Sequence, residues 1–136
     1  MSGYSKTPLA KKLGIKEAYT IKLIEAPQHY FELFDEFPNA VQIETVNQPH
    51  HYDFIHLFCA TFNTLLAHSL EVKEQLKKTG LLWVSWPKGS SGIKTDINRE
   101  SVRNHLLSLG LVDVKVCSID AQWSGLKFVY RLKDRN

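Results

Sequence analysis

The sequence has 136 residues, 43% of them hydrophobic and 23% charged, which fits one domain with residues 1–14 as an N-terminal arm and 15–136 as its core. No apolar run approaches the roughly 18 residues of a membrane span, and the N-terminus lacks the apolar core of a signal peptide. We therefore expect a cytoplasmic protein with no membrane partner. A net charge of only +3, with the dilute basic cluster Arg131, Lys133 and Arg135, makes nucleic acid an unexpected partner.

The charged residues are unevenly distributed along the chain. Residues 1–22 contain five lysines and one acid, residues 23–72 contain seven acids and no Lys or Arg, and residues 73–136 contain twelve basic residues and six acids. Such a chain can bind a small anionic ligand or a partner protein on one side, or pair with itself head to tail as a homo-oligomer. The alternative is that the three blocks neutralise one another across the fold.

The apolar pattern predicts helices that alternate with strands. Gly80 is expected to end the third helix, in which Leu66 and Leu70 form one apolar row and Leu65, Val72 and Leu76 an adjacent one. Asn98 is expected to cap the fourth helix. Val112, Val114 and Val116 predict a strand with one apolar face. The helices are predicted at 9–13, 29–37, 61–79 and 98–110, and the strands at 20–25, 41–45, 52–60, 81–86, 112–117 and 126–132.

This order predicts a three-layer α/β sandwich with a mostly parallel sheet and an antiparallel C-terminal strand. Two segments, Y-D-F-I-H-L-F at 52–58 and L-K-K-T-G-L-L-W-V at 76–84, resemble parts of class I methyltransferases, so the fold is expected to be a degenerate Rossmann-like domain of that type. The whole chain is also similar to an uncharacterised family of small bacterial proteins, a domain of unknown function. The motifs that carry this second resemblance are T-P-L-A-K-K-L-G-I at 7–15, W-V-S-W-P-K at 83–88, L-V-D-V-K-V at 111–116 and W-S-G-L-K-F at 123–128.

The methyltransferase resemblance implies a site for S-adenosylmethionine after the first strand. Enzymes of this class cradle the ligand with a glycine-rich loop, because only glycine allows close backbone approach. Here the loop is 26–29, A-P-Q-H, and no glycine occurs between Gly14 and Gly80. Pro27 also removes an N–H donor. The resemblance leaves Glu44, at the end of the second strand, as the acid that would hold ribose hydroxyls, and we otherwise expect no cofactor.

The loop K-G-S-S-G-I-K-T-D at 88–96 is the best candidate for ligand binding. It follows the carboxyl end of a strand, where open α/β sheets bind ligands, and its glycines, serines and lysines suit a phosphate or carboxylate. The spacing is not that of a P-loop. Trp86, Trp123 and Ser124 are expected near it, either as an exposed apolar wall or as a cover for the core. The candidate residues are Trp86, Lys88, Ser90, Ser91, Lys94, Thr95, Asp96, Trp123 and Ser124.

Other reactive side chains give weaker patterns. His50, His51 and His56 lack a carboxylate or thiolate at a clear ligand spacing, so we expect no metal site and a core position for His56. Cys59 and Cys117 lie in strand-like runs and are expected to be buried thiols, although they can also approach each other across the sheet. No Ser/His/Asp or Cys/His nucleophile can be assembled, so we expect no catalytic residue.

Three functions follow from these patterns. The first is a non-catalytic binding or regulatory module that recognises a small anionic group or a partner protein through the 88–96 loop. The second is a small S-adenosylmethionine-dependent enzyme of the methyltransferase class. The third is a structural or oligomeric role.

Overall fold

The computed structural model describes residues 7–135, so the first six residues of the predicted arm lie outside the described part. Within it the strands are β1 Thr20–Ile24, β2 Gln42–Ile43, β3 Tyr52–Phe58, β4 Leu76–Pro87, β5 Leu111–Ser118 and β6 Trp123–Tyr130. The helices are α1 Leu9–Leu13, α2 Phe62–Gln75 and α3 Arg99–Ser108, with 3-10 helices at Tyr30–Leu33 and Leu132–Asp134. No helix among residues 7–135 is both long and apolar enough to cross a membrane.

The six strands form one sheet in the order β2-β1-β3-β4-β6-β5. The pairs β1–β2, β1–β3 and β3–β4 are parallel, whereas β4–β6 and β5–β6 are antiparallel. This confirms the predicted fold class, a mostly parallel sheet that ends in an antiparallel pair. Because the chain moves from β1 to β2 on one side and then returns to β3 on the other, the strand order reverses between β1 and β3.

Each face of the sheet has its own hydrophobic core. Helices α2 and α3 cover one face, where Leu65 and Val102 are fully buried. The opposite face is covered by α1 and by the segment 30–37, around Phe54 and Trp83. The indole N–H of Trp83 donates to the backbone carbonyl of Leu13 at 2.8 Å, so α1 is fixed to the sheet rather than frayed.

Helix α2 ends four residues earlier than predicted, and β4 begins earlier. Leu76 takes an extended conformation, is fully buried and pairs with Tyr52, while Lys77 forms an ion pair with Asp53. Sheet pairing therefore overrides the helical pattern that continues through residues 76–79. As a result Gly80 lies inside a strand irregularity and does not end a helix. Of the two apolar rows predicted for α2, the row of Leu65 and Val72 is fully buried, whereas the row of Leu66 and Leu70 faces outward at 48% and 56% exposure.

The predicted helix at 29–37 is wrong, because only a 3-10 helix forms there. Phe34 already has extended backbone angles, and the aromatic rings of this segment pack against one another instead of lining one helical face. Tyr30 has its ring 5.4 Å from that of Phe31 and 5.8 Å from that of Phe58 in the sheet. A flat segment brings more of this aromatic surface onto the sheet than a regular helix of the same length would.

The apolar face predicted for the fifth strand is interrupted by a bulge. The register shifts between Asp113 and Lys115, so Val112 and Val116 face opposite sides of the sheet. Val114 and Val116 are about half exposed, at 52% and 50%. By contrast, the predicted cap of α3 is confirmed. The Asn98 side chain accepts from the backbone N–H of Ser101, and the Ser101 hydroxyl accepts from the backbone N–H of Asn98.

The crowding at Gly80 gives a test of this corrected boundary. A Cβ at Gly80 would lie 2.8 Å from Leu76 Cδ1 and 3.0 Å from the Lys77 carbonyl oxygen. We expect Gly80→Ala to lower the free energy of unfolding by about 1–3 kcal/mol, measured by urea denaturation. Gly89→Ala is the matched control, because no atom lies within 4 Å of its Cβ position, and it should change stability by less than about 0.5 kcal/mol. Equal effects of the two substitutions would contradict the boundary.

Candidate functional site

The carboxyl ends of β1, β3 and β4 meet at one edge of the sheet, which we call the carboxyl edge. It is formed by the segments that follow these strands, 25–29, 59–61 and 88–96. The turn 119–122 between β5 and β6 lies at the same edge, because β5 runs in the same direction as β4. The 88–96 loop is bonded to that turn: the Lys88 N–H donates to the Gln122 carbonyl at 2.8 Å, and Lys88 Nζ donates to Ser118 Oγ at 2.6 Å.

Several candidate side chains of the 88–96 loop are used within the structure. Ser91 Oγ accepts from the backbone N–H of Ile93, and Thr95 Oγ1 accepts from that of Ile97. Asp96 Oδ1 accepts from the N–H of Phe62 at 2.8 Å and so satisfies a donor at the start of α2. Ser90 and Lys94 are exposed, in the middle of the loop. The loop is thus held near both ends, and its central part faces solvent.

The two tryptophans of the predicted apolar wall lie on opposite faces of the sheet. Trp86 is 7% exposed and belongs to the core beneath α2 and α3. Trp86 pairs with Ser124, so its neighbour Trp123 points to the other face, where its ring contacts Phe58 edge-on at 5.1 Å. They therefore cover two separate cores and do not line one cleft.

The turn after β1 contains a strained residue. Glu25 has φ of +56°, in the left-handed region that glycine normally occupies, and it directly follows the strand. His29 Nε2 lies 3.2 Å from Asp120 Oδ2, so this turn is linked to the turn between β5 and β6. The Asp120 carboxylate also accepts from the backbone N–H groups of Gln122 and Trp123. These contacts connect the two ends of the carboxyl edge.

Beneath this edge lies a buried network of Tyr30, His56 and Ser85. The Tyr30 hydroxyl lies 2.9 Å from His56 Nδ1, and His56 Nε2 lies 2.8 Å from Ser85 Oγ, so both ring nitrogens are hydrogen-bonded. His56 is fully buried, and its ring stacks on that of Phe58 at 4.2 Å. Burial lowers the pKa of His56 from its ordinary 6.5 to about 3 and raises the pKa of Tyr30, so both side chains are neutral near pH 7.

His50, His51 and Glu44, the acid that the resemblance assigns to a ribose, have hydrogen-bond partners away from the carboxyl edge. His50 Nδ1 lies 3.1 Å from the Leu76 carbonyl oxygen, and His51 Nε2 lies 2.7 Å from Glu44 Oε1. Because His51 precedes β3, this contact draws the Glu44 carboxylate away from the carboxyl edge. The three histidines therefore have three different partners, and no cluster of three metal-binding side chains occurs among the described residues.

The two cysteines lie on opposite faces of the sheet. Cys59 belongs to the core beneath α2 and α3, whereas Cys117 packs against the other core. They do not approach each other. Burial, with a smaller contribution from the nearby Glu25 carboxylate, raises the pKa of the Cys59 thiol to about 12. The thiol is therefore protonated near pH 7 and is not a nucleophile there.

No family model matches the sequence, and no curated protein matches it. The fold is similar to that of a SAM-dependent methyltransferase from Aquifex aeolicus, with a TM-score of 0.66 and 14% identity over 88% of this chain and 86% of that one. It is also similar to the Burkholderia thailandensis 1,6-didemethyltoxoflavin-N1-methyltransferase, with a TM-score of 0.54 and 10% identity over 88% and 73% of the two chains. A third similar structure is the [4+2]-cyclase SpnF, with a TM-score of 0.61 and 8% identity over 90% and 79%. These likenesses define the class of the fold, a methyltransferase-like Rossmann domain, and the cyclase illustrates that this fold does not fix one reaction.

The buried histidine predicts how stability depends on pH. Because the folded state keeps His56 neutral down to about pH 3 while the unfolded state binds a proton below about 6.5, stability falls as the pH falls through this window. In His56→Gln we expect the slope of unfolding free energy against pH to decrease by up to about 1.4 kcal/mol per pH unit. The measurement is urea denaturation between pH 4 and pH 7. His68→Gln, on the outer part of α2, serves as the control and should keep the wild-type slope, whereas identical slopes in all three proteins would refute the account.

Proposed function

We propose that this protein binds S-adenosylmethionine or a closely related nucleoside at the carboxyl edge, between the turn 25–29 and the turn 59–61. The observation that carries the proposal is the reversal of strand order between β1 and β3. In open α/β sheets the crevice outside the carboxyl ends at such a point is the usual ligand site. Glu25, at the same place, has a positive φ; because Ala18, Ala40 and His50 do as well, the assignment rests on the strand order and not on this strain.

The similar structures support this ligand class. One is named as SAM-dependent, and the Burkholderia enzyme was solved with bound S-adenosylhomocysteine and 1,6-didemethyltoxoflavin. Both structures match the fold of this chain over 88% of its length. We transfer only the ligand class from them, as part of the proposal.

The charge of the residues at this site suits the ligand, but their backbone and polar groups do not provide the usual contacts to it. Glu25 is exposed and lies close enough to Cys59 to raise the pKa of its thiol, so a carboxylate lies near both turns. A carboxylate suits the positively charged sulfonium and ammonium groups of S-adenosylmethionine. However, Pro27 offers no N–H donor, and Glu44 is held by His51. We therefore propose binding and derive no methyl-transfer step.

Thermal unfolding tests the proposal. S-adenosylmethionine at about 100 times its dissociation constant should stabilise the protein by about 2.7 kcal/mol, because the ligand binds only the native state. Glu25→Gln should weaken this stabilisation by about 1–2 kcal/mol, since it removes the carboxylate and keeps the side-chain size. Glu17→Gln, which removes an exposed acid before β1, is the control and should behave as the wild type.

Isothermal calorimetry with S-adenosylmethionine and S-adenosylhomocysteine gives the decisive result. Binding of either compound that is retained in Glu17→Gln and weakened in Glu25→Gln supports the site. An unchanged melting temperature and no heat of binding at millimolar concentrations of both compounds would eliminate the proposal.

A second candidate function is recognition of a small anionic group by the 88–96 loop. The specific observation in its favour is the fixed position of Lys88, whose Nζ donates to Ser118 Oγ, in the same loop as the exposed Ser90 and Lys94. Two ammonium groups and a hydroxyl on a loop at the carboxyl edge suit a phosphate or carboxylate. This candidate is compatible with a partner protein that presents such a group.

The second candidate has its own test with inorganic phosphate and citrate as probes. Stabilisation by either anion should be lost in the double variant Lys88→Ala/Lys94→Ala and kept in Lys16→Ala, which removes an exposed lysine at the other edge. The double variant should unfold within about 1 kcal/mol of the wild type, because these lysines are outside the core. Equal stabilisation of all three proteins would exclude the loop as the anion site.

A further inference from the structure

The outer surface of α2 carries a groove that the proposed ligand site does not use. The groove lies between the segment 47–49 and α2 and has a volume of about 530 Å³. Leu66 and Leu70, one helical turn apart, form its apolar part and are 48% and 56% exposed. We call it the outer groove; its lining is Asn47, Gln48, Pro49, Leu66, Ala67, Leu70, Glu71, Glu74 and Gln75.

The outer groove has an acidic rim. Glu71 and Glu74 line it, and none of the residues that line it is Lys or Arg. A hydrogen bond from the buried Lys22 lowers the pKa of Glu71, so this carboxylate stays ionised near pH 7. Apolar side chains bordered by carboxylates are suited to an apolar residue that is flanked by basic ones.

The C-terminal turn of the same chain has this composition. Leu132, at the start of the 3-10 helix Leu132–Asp134, is 78% exposed, and its neighbours are Arg131 and Lys133. The turn is ordered by its own contacts: Arg131 donates to the Leu107 carbonyl, and Arg135 Nε donates to the Tyr130 carbonyl at 2.8 Å. Leu132 is therefore presented on a fixed turn, and little conformational entropy is lost when it is buried.

The turn and the outer groove are neighbours on the surface. Pro49 and Glu74, which line the groove, also line an adjacent cavity of about 380 Å³ that reaches Tyr130 and Asp134. When two complementary patches lie side by side, a twofold rotation between two copies can place the turn of each copy in the groove of the other. Such a contact closes on itself and does not propagate into a filament.

We infer that two copies of this chain associate through these patches, with Leu132 of one copy between Leu66 and Leu70 of the other and Lys133 facing Glu74. The C-terminal turn lies near the edge opposite the carboxyl edge, as do residues 47–49 and 74–75 of the groove, so association leaves the proposed ligand site open. Patches of this size predict a modest interface, and association that depends on protein concentration and weakens with salt.

Sedimentation equilibrium between about 10 µM and 1 mM protein tests the inference, a range suited to a modest interface. The wild type should reach twice the 15.6 kDa chain mass at the upper concentrations. Leu132→Asp should remain at the chain mass, and it should fold normally because the side chain is exposed. Val114→Asp, which changes an exposed valine on β5, is the matched control and should associate as the wild type does.

Exchanging the charges of Glu74 and Lys133 distinguishes this specific contact from nonspecific association. Glu74→Lys and Lys133→Glu should each weaken association by about tenfold or more, since like charges would face each other. The double variant Glu74→Lys/Lys133→Glu should restore it. A wild type that stays at 15.6 kDa at all concentrations, or a double variant weaker than both single ones, would overturn the inference.

Discussion

The need to pair both ring nitrogens of His56 constrains the architecture around the candidate site. This residue lies in β3, which is buried on both faces, and an unpaired nitrogen there would cost about 1–3 kcal/mol. Ser85 on the adjacent strand satisfies one nitrogen, but the other requires Tyr30 from a distant segment. The short turn 25–29 and the 3-10 helix that begins at Tyr30 bring the hydroxyl to this nitrogen.

The sequence predicts those parts of the fold that local chemistry determines. The cap at Asn98 and the alternation of β6 depend on neighbours in the chain, and both are found in the structure. The end of α2 depends instead on a partner 24 residues away, because Leu76 pairs with Tyr52. Since Leu76 also continues the apolar spacing of Val72, periodicity alone cannot distinguish the last turn of a helix from the first residues of a strand. The local sequence pattern does not indicate the bulge in β5 either, because the bulge arises from the register of β5 with β6.

The sequence predicts where the 88–96 loop lies but not how its side chains are used. The loop is expected at the carboxyl end of a strand, and β4 leads directly into it. Composition does not reveal which polar side chains form hydrogen bonds within the fold. Asp96, for example, accepts from the backbone N–H of Phe62 at the start of α2. The positive φ of Glu25 has no signal in the sequence, because glycine usually marks such a position. Pairing of Tyr30 with His56 likewise links residues 26 apart, with no motif to indicate it.

The fold brings the differently charged parts of the chain into contact with one another. Part of the acidic block is neutralised from the flanking basic blocks, since Lys22 pairs with Glu71 and Lys77 with Asp53. Glu74, just beyond that block, has no such ion pair among the described residues, and it lies near the end of α2 at the edge opposite the carboxyl edge. A strand of the length of β3 separates the two edges by roughly 23 Å, more than twice the Debye length at physiological salt. Charge at one edge therefore has little effect on a ligand at the other, and the chain can carry an acidic surface for association without repelling an anion from the 88–96 loop.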